Sequence, residues 1–356
     1  MSKLRDTYLA TTSGERRGPL AALARAALLG ASGPYAAVMA SRNRLYDAGI
    51  LRRVRVPVPV IVVGNLSTGG TGKTPCVEAI ARFYRERDVR VAIVSRGYGS
   101  ETGNNDEAMV LEENLPDVPH LQGADRVAQA LTAVQELESE LLILDDGFQH
   151  RRLHRDLDIV LLDATQPYFE QHLLPRGPLR EPARQLHRAG VVVLTRCDQA
   201  TVESVSEQRC RLARLVPDGI AVEAVHVAIE LIGSDGRTAA LDTVRGQSVF
   251  AFCGLGNPAA FRRTLADLGA NVVEFVTFPD HHGYTREDVA ALARRAGQLP
   301  SGGLALTTQK DFVKLRAAEL GGRPLWAVRV GLRFREGEDR LHGLLARFLP
   351  ERGGDE

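Results

Sequence analysis

PVIVVGNLSTGGTGKTPCVEAI, residues 59–80, runs a strand into a glycine-rich turn and then into a helix. Val58 and Val60 to Val63 form a β-branched run bounded by Pro57 and Gly64, the pattern of a strand buried on both faces. Gly69, Gly70 and Gly72 let backbone amides curl around a phosphate, Lys73 reaches the outer phosphates, and the Thr74 hydroxyl can hold magnesium where the helix starts. Ser67 to Thr74 is therefore a Walker A loop, with Ser67 at the position that the strict pattern gives to glycine. Such loops serve both hydrolysis and phosphoryl transfer, so the acceptor has to be read elsewhere in the chain.

A chain of 356 residues exceeds the usual single-domain size and predicts two unequal lobes. The formal charge of +1 argues against a nucleic-acid partner, whose binding surface normally leaves a basic excess. Cys76, Cys197, Cys210 and Cys253 form no C-x-x-C pair, which fits a reducing cytosol better than a disulfide framework or a zinc site. No stretch of ~18 apolar residues is uninterrupted, so no spanning helix is expected, and no signal peptide is read at the N-terminus. Leu20, Leu23, Ala24, Ala27 and Leu28 share one helical face near Arg16, Arg17 and Arg25. That face suits either a membrane interface or packing on the protein's own domain.

A second helix is expected over 35–54, leading into the strand before the loop. Beyond the helix that follows the loop, VRVAIVSRG, LLILDD, LDIVLLDA and VVVLTRCD add buried strands separated by helices, about five parallel strands in all. The fold class is α/β: a P-loop NTPase-like, doubly wound, mostly parallel sheet. HVAIELIGSDGRTAALDTV reads as a hairpin around Ser234-Asp235-Gly236, and the alternation after it builds a second, smaller α/β lobe. The expected organisation is an N-terminal helical segment at 1–55, a core at 56–222, a β-hairpin linker at 223–247 and the smaller lobe at 248–356. The final helix, about 338–348, is expected to return to the core, and the tail ERGGDE reads as disordered.

Asp145 and Asp146 close a strand, where magnesium or its waters need a carboxylate, although D-D-G is also good turn chemistry. In DDGFQHRRLHR, Gln149, His150, Arg151, Arg152 and Arg155 are placed to face an anionic substrate, while the arginines taken alone read as a solvated basic turn. The stiff loop LLPRGPLREP, 173–182, presents Arg176 and Arg180, and the polar loop before the next helix carries Asp106 and Glu107. Of His281 and His282, which point in different directions, at most one is expected to reach across an interdomain cleft. Its work there would be to orient a carboxylate that takes a proton from a hydroxyl acceptor.

VGNLSTGGTGKTP, VSRGYG, LDDGFQHRRLHRDLDI, LLPRGPLREP, FPDHHGY and LTTQKD, in this order, resemble the tetraacyldisaccharide 4′-kinase family of Gram-negative bacteria over about residues 40–315. The resemblance implies ATP-dependent phosphorylation, with Mg2+, of the 4′-hydroxyl of a tetraacylated glucosamine disaccharide 1-phosphate, the lipid A precursor. It also implies work at the anionic cytoplasmic face of the inner membrane, and it moves the N-terminal helix toward the membrane reading. The family's catalytic aspartate corresponds to Asp106, with Asn105 standing where the family motif has glycine, and its assisting histidine corresponds to His281. By the same matching, Asp145, Asp146 and Glu107 lie on the metal side, and Arg126 and Arg180 lie near substrate or phosphates.

A P-loop GTPase, as switch or metallochaperone, is the rival reading. Its support is TRCD, residues 195–198, a loose likeness to the guanine-reading N-K-x-D. Asn and Lys are both missing from it, and Leu144 stands where a D-x-x-G motif ending at Gly147 needs aspartate.

Overall fold

Internal contacts divide the chain into one unit of residues 1–96, 118–225 and 334–356 and another of 97–117 and 226–333. The computed structural model describes residues 7, 8, 10–12, 14, 16–97 and 105–351. The stretch 98–104 and the tail from 352, expected to be a polar loop and a disordered end, lie outside the described residues. Along the chain come α1 (Pro19–Asp47), β1 (Val60–Asn65), α2 (Lys73–Arg85), β2 (Val91–Ser95), α3 (Asp106–Asn114), β3 (His120–Gln122), α4 (Arg126–Gln135), β4 (Leu141–Asp145), β5 (Leu157–Asp163) and β6 (Val191–Thr195). Then follow α5 (Val202–Leu215), β7 (Ile220–Ile232), β8 (Thr238–Ala239), β9 (Ser248–Cys253), α6 (Pro258–Asp267), β10 (Asn271–Thr277), α7 (Arg286–Ala296), β11 (Leu304–Thr308), α8 (Gln309–Leu315), β12 (Glu319–Leu320), β13 (Arg323–Phe334) and α9 (Glu338–Leu345).

In the first unit the strands lie in the order β6-β5-β1-β4-β2-β3, every pairing parallel, and the start of β7 adds on beside β6. The chain winds outward from β1 in both directions, the doubly wound α/β arrangement of P-loop NTPases. Strand β1 is central, and all six of its residues are buried. The register Val60↔Leu142 and Val62↔Leu144 puts these four side chains on one face, with Val94, Val127 and Ala130 packed against them. Phe148, Val160, Leu162, Val192 and Leu194 belong to a separate core cluster. Each such side chain contributes ~1.5–3 kcal/mol on burial, so the strand ends that carry the polar loops stand on a stiff base. Strands β3 and the start of β7 are additions to the five expected, both too short or too mixed in pattern to stand out in the sequence.

The N-terminal helices expected as two form one 29-residue helix with Pro34 inside it. Proline normally breaks a helix by removing an N–H and crowding the preceding turn. Here contacts beside it hold the helix together: Ser32 Oγ lies 3.0 Å from Leu28 O of the preceding turn and 3.0 Å from Leu173 O, and the Tyr35 hydroxyl donates to Arg180 O at 2.9 Å. Asn43, buried, donates to the fully buried carboxylate of Glu181, which also pairs with Arg42 and Arg188. Near the chain's other end, α9 packs in the same unit, with the Tyr84 hydroxyl donating to Leu345 O at 2.7 Å and the Phe83 ring stacked on His342.

In the second unit the order is β10-β9-β11-β13, parallel throughout, continued by β7. The expected hairpin exists, with Leu231↔Ala239 and Ile232↔Thr238 paired antiparallel, but it belongs to this sheet rather than standing as a separate linker. Residues 97–117 also fall in this unit, whereas the sequence reading runs the core continuously from 56 to 222. The reason is helix α3, which packs on α8: Gln309 Nε2 donates to Glu113 Oε2 and Asn114 Oδ1, both at 2.7 Å.

Candidate active site

In the first unit, β1 delivers the chain into the loop at Asn65, and Gly72, at φ 90°, turns it into α2. That left-handed conformation suits glycine, and it lets Lys73 open the helix. Lys73 Nζ lies 3.6 Å from Asp146 Oδ1, and Arg180 Nη1 donates to both oxygens of the same carboxylate at 3.0 and 2.8 Å. Arg126 Nη1 donates to Asp146 O at 3.1 Å. Burial pushes the Asp146 carboxyl up, but Lys73, Arg180 and Arg126 outweigh it and hold the group below the usual carboxylate range. Asp145 is buried at the end of β4, in register with Val63 of the adjacent β1.

The D-D-G turn divides its labour in a way that its residue types do not announce. Asp146 takes the left-handed conformation, φ 49°, while a Cβ at Gly147 would sit 2.6 Å from the Leu144 side chain. Glycine is needed there for space and not for its φ. Gln149 Nε2 donates to Asn65 O at 3.0 Å, tying this turn to the P-loop strand. His150, partly buried and close to Arg126, Arg155 and Arg152, has its imidazole pushed down to about 4, mainly by burial, so it is neutral at pH 7.

The basic residues that follow are not a substrate-facing set, nor are they all solvated. Arg151 is buried and donates to Asn43 O and to Asp47, and Arg155 donates to Gly147 O and His150 O. Only Arg152 fits an exposed basic turn, pairing with Asp125. The LLPRGPLREP loop does reach the site. Thr68 N donates to Pro178 O at 2.9 Å, Arg180 N donates to Leu66 O at 2.7 Å, and Ser67 forms an antiparallel bridge with Leu179. Arg176 is turned away, its guanidinium donating to Thr12 O.

The second unit holds the other chemical pair. Asp106 is the first residue of α3 and is buried, and Asn105 caps the helix through its side chain at φ −89°, so the family's glycine is not required here. His281, at φ 59°, places Nδ1 3.0 Å from each oxygen of Asp106, although the two are 175 residues apart. His282 points elsewhere, to Asp288 at 3.0 Å, and stacks on Phe278. Lys314 Nζ stands 3.7 Å from Asp106 and 3.2 Å from the fully buried Asp311. Lys310 Nζ donates to Glu107 Oε1 at 2.6 Å, so Glu107, expected on the metal side, is ion-paired instead. No reading of the residues singled out these two lysines, although Lys310 lies in the quoted LTTQKD.

Burial raises the Asp106 carboxyl, but the His281 hydrogen bond and the charges of Lys310 and Lys314 bring it below its ordinary value. The Asp106 hydrogen bond lifts His281 above 6.5 against burial, which lowers it. Asp106, with its folded value depressed, contributes stability that is lost as pH falls through that value. His281, with its value raised, contributes stability that is complete below ~6.5 and lost as pH rises through the folded value. The pair is strongest between the two. An NMR titration of His281 should therefore give a pKa above the free-imidazole value, and Asp106→Asn should lower it; an unshifted imidazole in both proteins would exclude the pairing.

A family model described as tetraacyldisaccharide-1-P 4′-kinase, LpxK, matches residues 24–349. A tetraacyldisaccharide 4′-kinase of an Anaeromyxobacter species is 43 % identical over 347 residues, covering 92 % of this chain and 92 % of its own. The protein of that name from Aquifex aeolicus is 37 % identical over 315 residues, covering 83 % and 91 %. A crystal structure described as the apo form of Aquifex aeolicus LpxK in complex with ATP is similar with a TM-score of 0.73 at 34 % identity, covering 92 % of this chain and 99 % of that one.

Proposed function

The chain belongs to the tetraacyldisaccharide 4′-kinase family, and on that premise we propose how its residues divide the work of the reaction. The protein catalyses ATP-dependent phosphorylation of the 4′-hydroxyl of the tetraacylated disaccharide 1-phosphate precursor in lipid A biosynthesis. The GTPase reading is set aside with it. The observation that carries this is the family match over 24–349, which spans the P-loop, the D-D-G turn and the Asp106–His281 pair.

Residues 67–74 hold the phosphates of ATP, their amides and the α2 N-terminus supplying partial positive charge and Lys73 a full one. Arg126 and Arg180, already grouped around Asp146, supply further positive charge toward phosphate or the substrate's anionic groups. Gln149 and the neutral His150 offer hydrogen bonds to substrate without adding charge. Asp106, held ionised, accepts the proton of the attacking hydroxyl, and His281 positions that carboxylate.

Magnesium suits this donor set. Mg2+ takes hard oxygen ligands and commonly only one or two carboxylates beside substrate phosphates. Asp145, buried at the end of β4, and the hydroxyl of Thr74 in the first turn of α2 are oxygen donors of that kind. Thr74 and Asp145 would hold the ion, with Asp146 released to it from Lys73 and Arg180, and the ion would neutralise charge on the transferring phosphate. Glu107 is left with Lys310.

The work site is the cytoplasmic face of the inner membrane. No helix among the described residues is long and apolar enough to cross a membrane. Leu20 and Leu23, on the expected apolar face of α1, are 82 and 68 % exposed, while Ser32, Tyr35 and Asn43 further along bond to the 173–181 segment, which supports an interfacial role for the N-terminal part of the helix. Replacing Leu20 and Leu23 by glutamate should lower binding to anionic vesicles severalfold while leaving ATP affinity unchanged. Equal vesicle binding by the variant would assign that face another role. Transfer of label from γ-labelled ATP to a disaccharide lipid acceptor, with simple hydrolysis followed in parallel, tests the activity itself: hydrolysis without lipid product would refute it.

A further inference from the structure

The TRCD turn at the end of β6, which has no part in the roles above, faces the P-loop. Thr195 Oγ1 donates to Thr71 O at 2.9 Å, and Arg196 Nη2 donates to Gly70 O at 3.0 Å. From the end of β1, Asn65 Nδ2 donates to Gly69 O at 3.1 Å. Three successive carbonyls of the loop, Gly69 to Thr71, are thus each taken by a side-chain donor at a strand end. In a curled loop N–H and C=O groups point in opposite senses, so a loop that turns its amides toward an anion must turn its carbonyls out. Carbonyls left unpaired there would favour other conformations of the loop.

Arg196 is not a loose cation. It is ion-paired with Asp163, at the end of β5 between β1 and β6, and Asp163 Oδ1 is fixed in turn by the N–H and hydroxyl of Thr165 at 3.0 and 2.6 Å. Arg196 also holds φ 56°, a left-handed conformation disfavoured for a residue with a side chain, and its side chain is mostly buried. Its charge is matched by Asp163, and its other terminal nitrogen donates to Gly70 O.

We infer that Arg196 is a positioning residue for nucleotide binding: anchored by Asp163, it holds Gly70 turned outward so that the loop amides are set for the terminal phosphates before nucleotide arrives. The inference rests on the reading that residues 67–74 hold the phosphates of ATP.

Calorimetry on the full chain with ATP, ADP and AMP tests it. Arg196→Ala should weaken ATP and ADP by roughly tenfold, the worth of one charge-assisted hydrogen bond, and AMP, which lacks the outer phosphates, by no more than about twofold. KM for ATP should rise by the same factor with KM for the lipid unchanged. Arg196→Lys should recover most of the loss because an ammonium can still donate to Gly70 O and pair with Asp163, and Asp163→Asn should fall between. Unchanged ATP affinity in Arg196→Ala would overturn the inference, as would equal losses for all three nucleotides, which would mean contact with the base or sugar. Failure of Arg196→Lys to recover binding in a protein of normal melting temperature would also overturn it. Should Arg196→Ala not fold, the loss of ATP relative to AMP in Asp163→Asn decides the matter. Lys73→Ala is the reference: normal ATP binding there would refute the loop reading itself, whereas weakened binding there with normal binding in Arg196→Ala refutes only the clamp.

Discussion

Lys73→Ala is expected to lower phosphate transfer by about 10²- to 10³-fold with little change in folding. The ammonium is the only full charge borne by the loop itself, residues 67–74. Lys73 lies 3.6 Å from Asp146, which Arg180 also holds. Removing the lysine therefore leaves Asp146 paired and the turn intact, and the loss falls on the charge that develops on the transferring phosphoryl group. Transfer and thermal melting measured on the same preparation separate the two effects. A rate within a few-fold of the unmodified protein would remove residues 67–74 from the chemistry.

Asp106→Ala carries the other large effect, about 10²- to 10⁴-fold on transfer, the span usual for a positioned general base, with ATP affinity nearly intact. His281→Ala should cost less, because the histidine acts through the carboxylate and Lys310 and Lys314 still hold that carboxylate ionised. The double variant should be scarcely worse than Asp106→Ala alone, since a residue that works through another loses its effect once the other is gone. Fully multiplicative losses would dissolve the pair into two independent roles. Transfer surviving in Asp106→Ala would move the proton to Asp145, Asp146 or water.

The sequence by itself determined the features whose causes are local. A β-branched run, three glycines, Lys73 and a helix within 22 residues leave one sensible structure, and the same logic of buried strands ending in polar turns gave the order of β1, β2, β4, β5 and β6. Asp145 and Asp146 were legible for the same reason: a carboxylate ending an apolar strand is a short-range pattern. That His281 and His282 point in different directions was legible too, whereas the residues alone did not say which of them meets a carboxylate of the site.

Only the tertiary structure decided which polar groups meet. Asp106 and His281 come together over 175 residues because α3 packs on α8 in the second unit, a preference that no pattern within 97–117 reveals. Arg151 and Arg155 read as available charge, yet the first is bound by Asn43 O and Asp47 and the second by the carbonyls of its own turn. Glu107 reads as a metal-side carboxylate, and the structure sets Lys310 beside it. Pro34 should have ended a helix, and the contacts of Ser32 and Tyr35 with the 173–180 segment carry α1 through it. The physical reason is common to all of these: periodicity and turn chemistry act over a few residues, whereas the partner of a charge or a carbonyl is set by which distant segment is packed against it.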